Sequence, residues 1–398
     1  MTYDVAIVGG GPAGLALALA LTRGMKGLRV ALLDRRPFAP PPDARATAIG
    51  AAVRRVFEAL GVWERIAAEA EPVRSMKITD SGTGDIARPL FLTFSGDARP
   101  GEPFAHMVPN RLMTEALLDA LGTDADLVAP VEIVGWSPGR LTLKDGREIA
   151  APLIVAADGA LSALRTFAGI GVVAHDYRQS GIVTAIGHEV PHDGTAWEHF
   201  RPAGPFASLP LKGNRSSLVW TEATDAAIRY KAMPLDAVAA EIESVMGSTL
   251  GTVTVEEKLQ TFPLRLQLAR DMVAPRLALV GDAAHVIHPV AGQGLNLGLA
   301  DVAALAEVTI DAMRLGLDQG DAGVLARYQR WRRFDTALMA MITDSMNRLF
   351  SNNVAPVRAL RDIGLGLVDR VPLAKDAMIA RAAGLNRGGP RLMSGMPI

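Results

Sequence analysis

Two glycine-rich stretches near opposite ends of the chain carry residue types that chemistry can use. The first, Gly9-Gly10-Gly11-Pro12-Ala13-Gly14, follows a short apolar run from Tyr3 to Val8 and precedes an Ala/Leu-rich segment of helical character. A second strand, Arg29 to Leu33, ends at Asp34, 20 residues beyond Gly14, with Arg35 next. Glycines so spaced between strand and helix, with an acid ending the next strand, make a dinucleotide-binding fingerprint. Gly9 makes the turn, Gly11 lets a pyrophosphate touch the backbone, and Gly14 permits close packing of helix on strand. Asp34 would hold an adenosine ribose, and an acid there favours an unphosphorylated one, hence FAD or NAD over NADP. The bland alternative is a glycine turn that binds nothing.

The second stretch runs from Leu277 to Asp301 and reads as strand, tight loop, helix. Leu277 to Val280 is apolar, Gly281-Asp282 ends it, His288-Pro289 and Gly292-Gln293-Gly294 follow, and a helix is expected from about Leu295, through Asn296, towards Met313. Gly292 and Gly294 allow a backbone to approach a flat ligand closely. The helix start offers free N–H groups and a partial positive charge. Asp282 can accept hydrogen bonds from a polyol such as the ribityl chain of a flavin.

Other candidates lie between these stretches. Arg45 follows a Pro-rich loop, and Arg111 sits at the Pro109-Asn110-Arg111-Leu112 start of a helix with an apolar face of Leu112, Ala116, Leu117, Ala120 and Leu121. Each is placed to reach a phosphate or the flavin edge, or else is a surface cation. Leu141 to Leu143 and Glu148 to Ile149 flank the turn Lys144-Asp145-Gly146-Arg147 as a hairpin. Leu153 to Ala156 is a buried strand ending in Ala157-Asp158-Gly159-Ala160. Between strand and helix, Asp158 reads equally well as a helix cap.

Composition narrows the chemistry further. A chain of 398 residues has room for two domains or one interleaved pair. The net charge of −1 gives no sign of nucleic acid, and the lack of cysteine removes disulfide frameworks, thiolate catalysis and the flavin disulfide reductases. Val5 to Thr22 carries no charge, but Gly9 to Pro12 would break a spanning helix and Asp4 replaces the basic start of a signal peptide. We therefore expect neither a transmembrane segment nor a cleaved leader. No second fingerprint exists: Gly169 to Gly171 and Gly364 to Gly366 lack the third glycine. One Rossmann unit must serve a bound dinucleotide, and a nicotinamide would dock without a domain of its own.

From about Val173 to Leu268 the chain turns β-rich, as in Gly181 to Ile186, Ala196 to Phe200, Ala207 to Leu211 and Ser217 to Thr221. An antiparallel sheet in a second, substrate-covering domain is expected, with Trp197, His199, Phe200 and Trp220 mostly in its packing. Residues 327–398 read as helical and hold twelve Lys/Arg and five Asp, a net +7 against −8 for the remainder. Met339, Met341, Ile342, Met346 and Leu349 form one apolar stripe, and Leu360, Ile363, Leu367 and Val371 another. This tail is either packed on the body with a solvated basic face or a peripheral membrane contact.

Gly9 to Gly14, Ala157-Asp158-Gly159 and Gly281-Asp282 together resemble the single-component flavoprotein aromatic hydroxylases of the p-hydroxybenzoate hydroxylase fold. His288-Pro289-Val290-Ala291-Gly292-Gln293-Gly294-Leu295-Asn296-Leu297-Gly298 through Asp301 resembles the signature of the ubiquinone-biosynthesis hydroxylases. Phe200 to Pro205, Leu209-Pro210-Leu211 and Val219-Trp220-Thr221 are similar to their substrate-domain strands, and Ala359 to Leu367 with Pro372-Leu373 and Lys375 to their C-terminal tail. The resemblance implies an α/β fold: a Rossmann-type FAD-binding domain (1–72, 101–173 and 271–322) interleaved with a β-sheet substrate domain (73–100 and 174–270), plus a C-terminal helical region (323–398). It implies bound FAD, with Asp158-Gly159 serving FAD and the nicotinamide donor and Gly281-Asp282 binding the ribityl chain. It also implies O₂ and NAD(P)H or a reductase, and hydroxylation of a polyprenyl phenol. The cofactor does the hard step, so no Ser/His/Asp or paired-carboxylate constellation is needed. The helix from Gly294 would place N–H donors at the flavin's N1/C2 carbonyl. His288 and Pro289 would position the flavin loop, or His288 help deprotonate a phenol, with His285 structural. A water-insoluble substrate favours a cytoplasmic enzyme peripheral on the membrane face and contact with a ubiquinone-biosynthesis complex. Two competing readings are a same-fold hydroxylase of a soluble aromatic compound, with a polar, cationic pocket, and a non-catalytic FAD-fold carrier of prenyl groups.

Overall fold

The computed structural model describes residues 1–41, 45–80, 90–95, 97–99, 101–351, 383–384 and 388–398. Four-residue apolar runs with every side chain buried, such as Val5–Val8, Val30–Leu33 and Leu153–Ala156, suit strands covered on both faces. They form a six-stranded sheet in the order Asp126–Val128, Val30–Leu33, Val5–Val8, Leu153–Ala156, Leu277–Leu279, Val273–Ala274. All pair in parallel except the last, which is antiparallel. The uncharged segment after Asp4 is thus a strand and then the helix Pro12–Gly24, not a span. Among the described residues no helix is long and apolar enough to cross a membrane.

Helices Pro12–Gly24 and Gly294–Arg314 lie side by side and bury most of their length in the core that includes this sheet. The hairpin forms as Arg140–Leu143 with Glu148–Ala150. The chain turns outward from Val8 to one side through Val30–Leu33, and from Leu153–Ala156 to the other. The order of strands therefore reverses between Val5–Val8 and Leu153–Ala156, the place where open α/β sheets bind ligands beyond their carboxyl ends.

The second half of the molecule is a nine-stranded sheet built around the strand Val172–His188. Its members pair antiparallel, apart from Thr195–Phe200 against Ser75–Asp80. Ser75–Asp80 and Leu90–Ser95 come from far earlier in the chain, so the two halves interleave. His285–Val286 pairs with Gln267–Leu268, sewing the loop after Leu279 to this sheet's edge. Trp220, Phe200 and His199 are buried, and Trp197 is half-buried over His199.

Two helices escape the β-rich reading, Thr224–Ala232 and Leu235–Met246. Val238, Ile242, Val245 and Met246 cover Ile182, Ile186, Phe206, Leu218 and Trp220 on one sheet face. Strand alternation reads only one partner's pattern and says nothing about what lies over it.

The long helix Ala322–Phe350 corrects the expected stripe. Its buried side is Leu325, Tyr328, Arg332, Thr336, Ala340, Thr343, Asn347 and Phe350. Met341 and Leu349 face outward, while Met339 and Met346 are only partly covered. The helix is rotated because Arg332 must reach Asp301 and Asn347 must reach Gln179, two polar contacts that apolar counting does not register. The second stripe, Leu360, Ile363, Leu367 and Val371, and the tail segment resembling the family lie outside the described residues.

Candidate active site

Three loops leave the carboxyl ends of three neighbouring strands: Gly9 to Gly14, Ala157-Asp158-Gly159 and Gly281-Asp282. They touch through positions where a side chain has no room. A Cβ on Gly9, whose φ is +119°, would stand 2.1 Å from the Ala157 carbonyl oxygen, and one on Gly14 would stand 1.9 Å from that of Gly9. A Cβ on Gly298 would meet the Cα of Gly281 at 3.0 Å, so the Gly294 helix closes directly on the third loop. Gly11 differs from all of these, because nothing lies within 4 Å of its Cβ position. Protein fills the space beside Gly9 and Gly14 and leaves it open beside Gly11, at the start of helix Pro12–Gly24 where unpaired N–H groups gather. That is the shape a pyrophosphate requires, so the residues present fit FAD.

The Asp34 carboxylate already works: Gly10 N–H donates to Oδ2 at 2.7 Å and Arg36 N–H to Oδ1 at 2.8 Å. It ties the glycine loop to the second strand, and each oxygen keeps a lone pair for a ribose hydroxyl. Arg35 beside it is exposed. Asp282 is reached by solvent, yet protein surrounds it closely enough that burial raises its pKa against the opposing pull of His285 and Arg265. A carboxylate that is open to water but walled in by protein lines a cleft.

Asp158 does cap a helix. Its Oδ2 accepts from the N–H groups of Ala163 and Leu164, at 2.8 and 3.2 Å. Burial raises its pKa, and the Ser162 hydroxyl and these N–H groups act against that rise. Oδ1 is buried and has no partner, so capping uses half of the carboxylate.

Arg45 and Arg111 come to the same end of one antiparallel pair, Ala46–Gly50 with Ala105–Pro109, where Asn110 N–H donates to the Arg45 carbonyl. The Arg45 guanidinium lies 4.9 Å over the Phe262 ring, and Arg111 is exposed.

Around the His288 loop the side chains hold backbone. Asn296 Oδ1 accepts from Gly50 N–H at 2.8 Å, and Nδ2 donates to the carbonyls of Ala48 and Gly292. Its amide is spent on positioning, which leaves backbone N–H groups of Gly294, Leu295 and Asn296 as what this helix start can offer. Gln293 precedes the helix and its carbonyl takes the Leu297 N–H. Gly292, at φ +61°, packs on Ala48, and Pro289 leads into the short turn before it. His288 is fully buried, edge-on to Tyr177 at 5.1 Å, with neither ring nitrogen partnered among the described residues. Burial pushes its pKa down to about 4, so the ring is neutral and a poor acceptor for a phenol proton.

Sequence reading missed the groups behind the loops. Asp301 is wholly buried and accepts from Gly281 N–H at 3.1 Å, His285 Nε2 at 2.5 Å and Arg332 Nε at 2.8 Å. Burial alone would raise its pKa, but His285 and Arg332 outweigh burial and hold it below the usual carboxylate range. Arg165 donates to the carbonyls of Ala283 and Ala160, clamping the second loop to the third. The Asp301 signal was an acid inside an otherwise apolar helix face, and Arg165 had none beyond its place after Asp158.

Comparison with known proteins agrees with this geometry. The family described as FAD binding domain matches residues 2–340. The chain is 43% identical to ubiquinone hydroxylase UbiL of Rhodospirillum rubrum, over 99% of this chain and 93% of that protein. It is 36% identical to 3-demethoxyubiquinol 3-hydroxylase of Escherichia coli, over 96% of this chain and 98% of that protein. The p-nitrophenol 4-monooxygenase PnpA from Pseudomonas putida shares its fold, with a TM-score of 0.80 at 20% identity over 97% of this chain and 98% of that one. A dinucleotide cradle at the strand-order reversal, a second sheet over it and relatives matched along nearly their whole length lead to one assignment: the chain belongs to the FAD-dependent aromatic-ring monooxygenases, in the family of the ubiquinone-biosynthesis hydroxylases.

Proposed function

We propose that this enzyme hydroxylates the aromatic ring of a polyprenyl phenol intermediate in ubiquinone biosynthesis. The observation that carries the reading is the surface facing the cradle. On the sheet face turned to Ala48, Ala51 and Met107, the central residues Val183, Leu209, Val219 and Phe262 are apolar and only half-buried. Alternation and register place all four on that one face. Apolar side chains at the centre suit a prenylated ring, and the Arg45 guanidinium over Phe262 is a cation on the same face.

When bound, FAD supplies O₂ activation for insertion of one oxygen atom into an electron-rich ring. The chain's own residues supply the rest. Gly11 admits the pyrophosphate, Asp34 the ribose and Asp282 the ribityl chain. The Gly294 helix start directs N–H groups and partial positive charge at the flavin edge. His288, neutral and buried, positions the loop rather than taking a proton. Arg35, Arg45, Arg111 and Asp158 are placed for phosphate, flavin-edge and nicotinamide contacts, with NAD(P)H or a reductase as electron source.

The reading includes docking on the cytoplasmic membrane face. It is supported by the +7 charge of residues 327–398 and by Phe334, Met341 and Leu349, which are exposed along the long helix. Arg358, Arg361 and Arg370, in the segment 356–385 read as the docking helices, lie outside the described residues. Each Lys or Arg near an anionic surface contributes about 1 kcal/mol. Reversing those three arginines to Glu should release the protein from anionic vesicles with FAD content unchanged. Equal binding by wild type and variant would remove the docking role.

Deleting the gene and identifying the quinone precursor that accumulates tests the function itself. A prenylated phenol lacking one ring hydroxyl is expected, and its missing hydroxyl names the carbon. Normal quinone with no precursor would overturn the reading.

A further inference from the structure

Among the described residues, the recess on the substrate sheet contains one ionisable group that the cofactor chemistry leaves unused. Glu198 lies in the strand Thr195–Phe200, between Ala196 and Phe200 on the same face. Across the sheet its row is Ile78, Glu198, Ala207, Val219 and Val183, an otherwise apolar line. Ala196 belongs to the apolar cluster that packs on Ala51 and Met107, and Phe200 to another under Phe350. Glu198 falls between the two clusters, where Val219, Val183 and Leu209 remain half-buried and the sheet face is open.

Glu198 is 5% exposed and makes no hydrogen bond or ion pair with any described residue. Of the described cations nearby, Lys77 lies over Trp197 on the opposite face and Arg201 pairs with Glu222, while Arg45 lies over Phe262, on the same face but another row. A buried carboxyl without a partner is costly, and burial alone pushes its pKa up to about 7. Such a group is retained at a stability cost and is satisfied by a ligand that brings a donor.

We propose that Glu198 is the polar anchor of the substrate recess: its carboxylate accepts a hydrogen bond from the ring hydroxyl of a neutral phenol, and its charge turns away aromatic acids. The assignment rests on the phenol reading above and sharpens it. Apolar walls accept any ring of suitable size, so discrimination between a phenol and its carboxylated analogue needs a charge. A carboxylate in a low-dielectric recess repels a second carboxylate strongly.

The test uses FAD-loaded enzyme and reads binding through the change in flavin absorbance, on the alkaline side of the Glu198 pKa so that the carboxylate form prevails. The ligands are a short-chain 2-prenylphenol and the matching 3-prenyl-4-hydroxybenzoate. Wild type should prefer the phenol. Glu198→Gln keeps an acceptor and removes the charge, so it should hold the phenol within a few-fold and gain about 10-fold or more for the acid. Glu198→Ala should lose about 10-fold for the phenol. FAD content and melting temperature of both variants show that they fold. An unchanged phenol-to-acid ratio in both variants overturns the role of Glu198 while the phenol reading stands. Wild type that binds the acid as tightly as the phenol overturns both.

Discussion

The two halves of the molecule hold their ligands by different means. At the parallel sheet, recognition is backbone against backbone: Gly9 on Ala157, Gly14 on Gly9, Gly298 on Gly281. Behind these contacts Asp301, His285, Arg332 and Arg165 form a buried frame with distances of hydrogen bonds. At the nine-stranded sheet the facing side chains Val183, Leu209 and Val219 are half-buried and unframed, with the lone Glu198 among them. One half is closely framed and fits FAD. The other presents a half-buried apolar face that, on our proposal, sets which ring enters. Perturbing the first should therefore cost stability and FAD together, whereas perturbing the second should spare both.

The largest effect is expected from Asp301→Ala. It leaves the buried Arg332 with only Asp335 as counter-charge and unpins Gly281, for a loss of about 3 kcal/mol in denaturant unfolding together with FAD release. A loss under about 1 kcal/mol would show that the frame does not hold the loop.

Next comes the pH response of His288. Its folded pKa is lowered from 6.5 to about 4 by burial. Its contribution is then complete above the unfolded value and is lost as pH falls from there towards the folded one, about 3 kcal/mol in all. His288→Phe should flatten that part of the acid limb relative to wild type in thermal melts. Parallel acid limbs would mean that His288 protonates without cost.

Asp282→Ala should weaken FAD retention by one or more charge-assisted hydrogen bonds, each about 1.5–3 kcal/mol, with little change in apoprotein stability. Wild-type FAD affinity would reduce Asp282 to a turn residue. The smallest change in stability, within about 1 kcal/mol, is expected for Val219→Phe, because the site is half-buried and need not be overpacked. That variant should keep FAD and bind the prenylated phenol more weakly. FAD loss from it would break the division between the two halves.

The same contrast explains what could be read from the sequence. The cradle was legible because glycine is needed where no Cβ fits, as at Gly9 and Gly14, or where φ is positive, as at Gly281 and Gly292. Strand bounds at Leu153–Ala156 were legible because burial on both faces leaves continuous apolar runs. The recess was not, since Glu198 becomes unusual only once register puts Ala207 and Val219 beside it. Met341 looked like core by spacing, yet Arg332 and Asn347 turn its helix the other way. Asn296 looked like a ligand and is spent as a clamp on Ala48 and Gly50. Such polar tertiary bonds carry no local period.

The central claim is that the glycine cradle and the apolar sheet face work together, one on FAD and O₂ and the other on a neutral phenol ring. The most direct test gives the FAD-loaded enzyme a reductant, a short-chain prenylated phenol and isotopically heavy dioxygen, then weighs the product. The account predicts a product with one more ring hydroxyl, carrying one heavy oxygen atom. Reductant consumption with unlabelled or unchanged phenol, under conditions where the phenol binds, would contradict it.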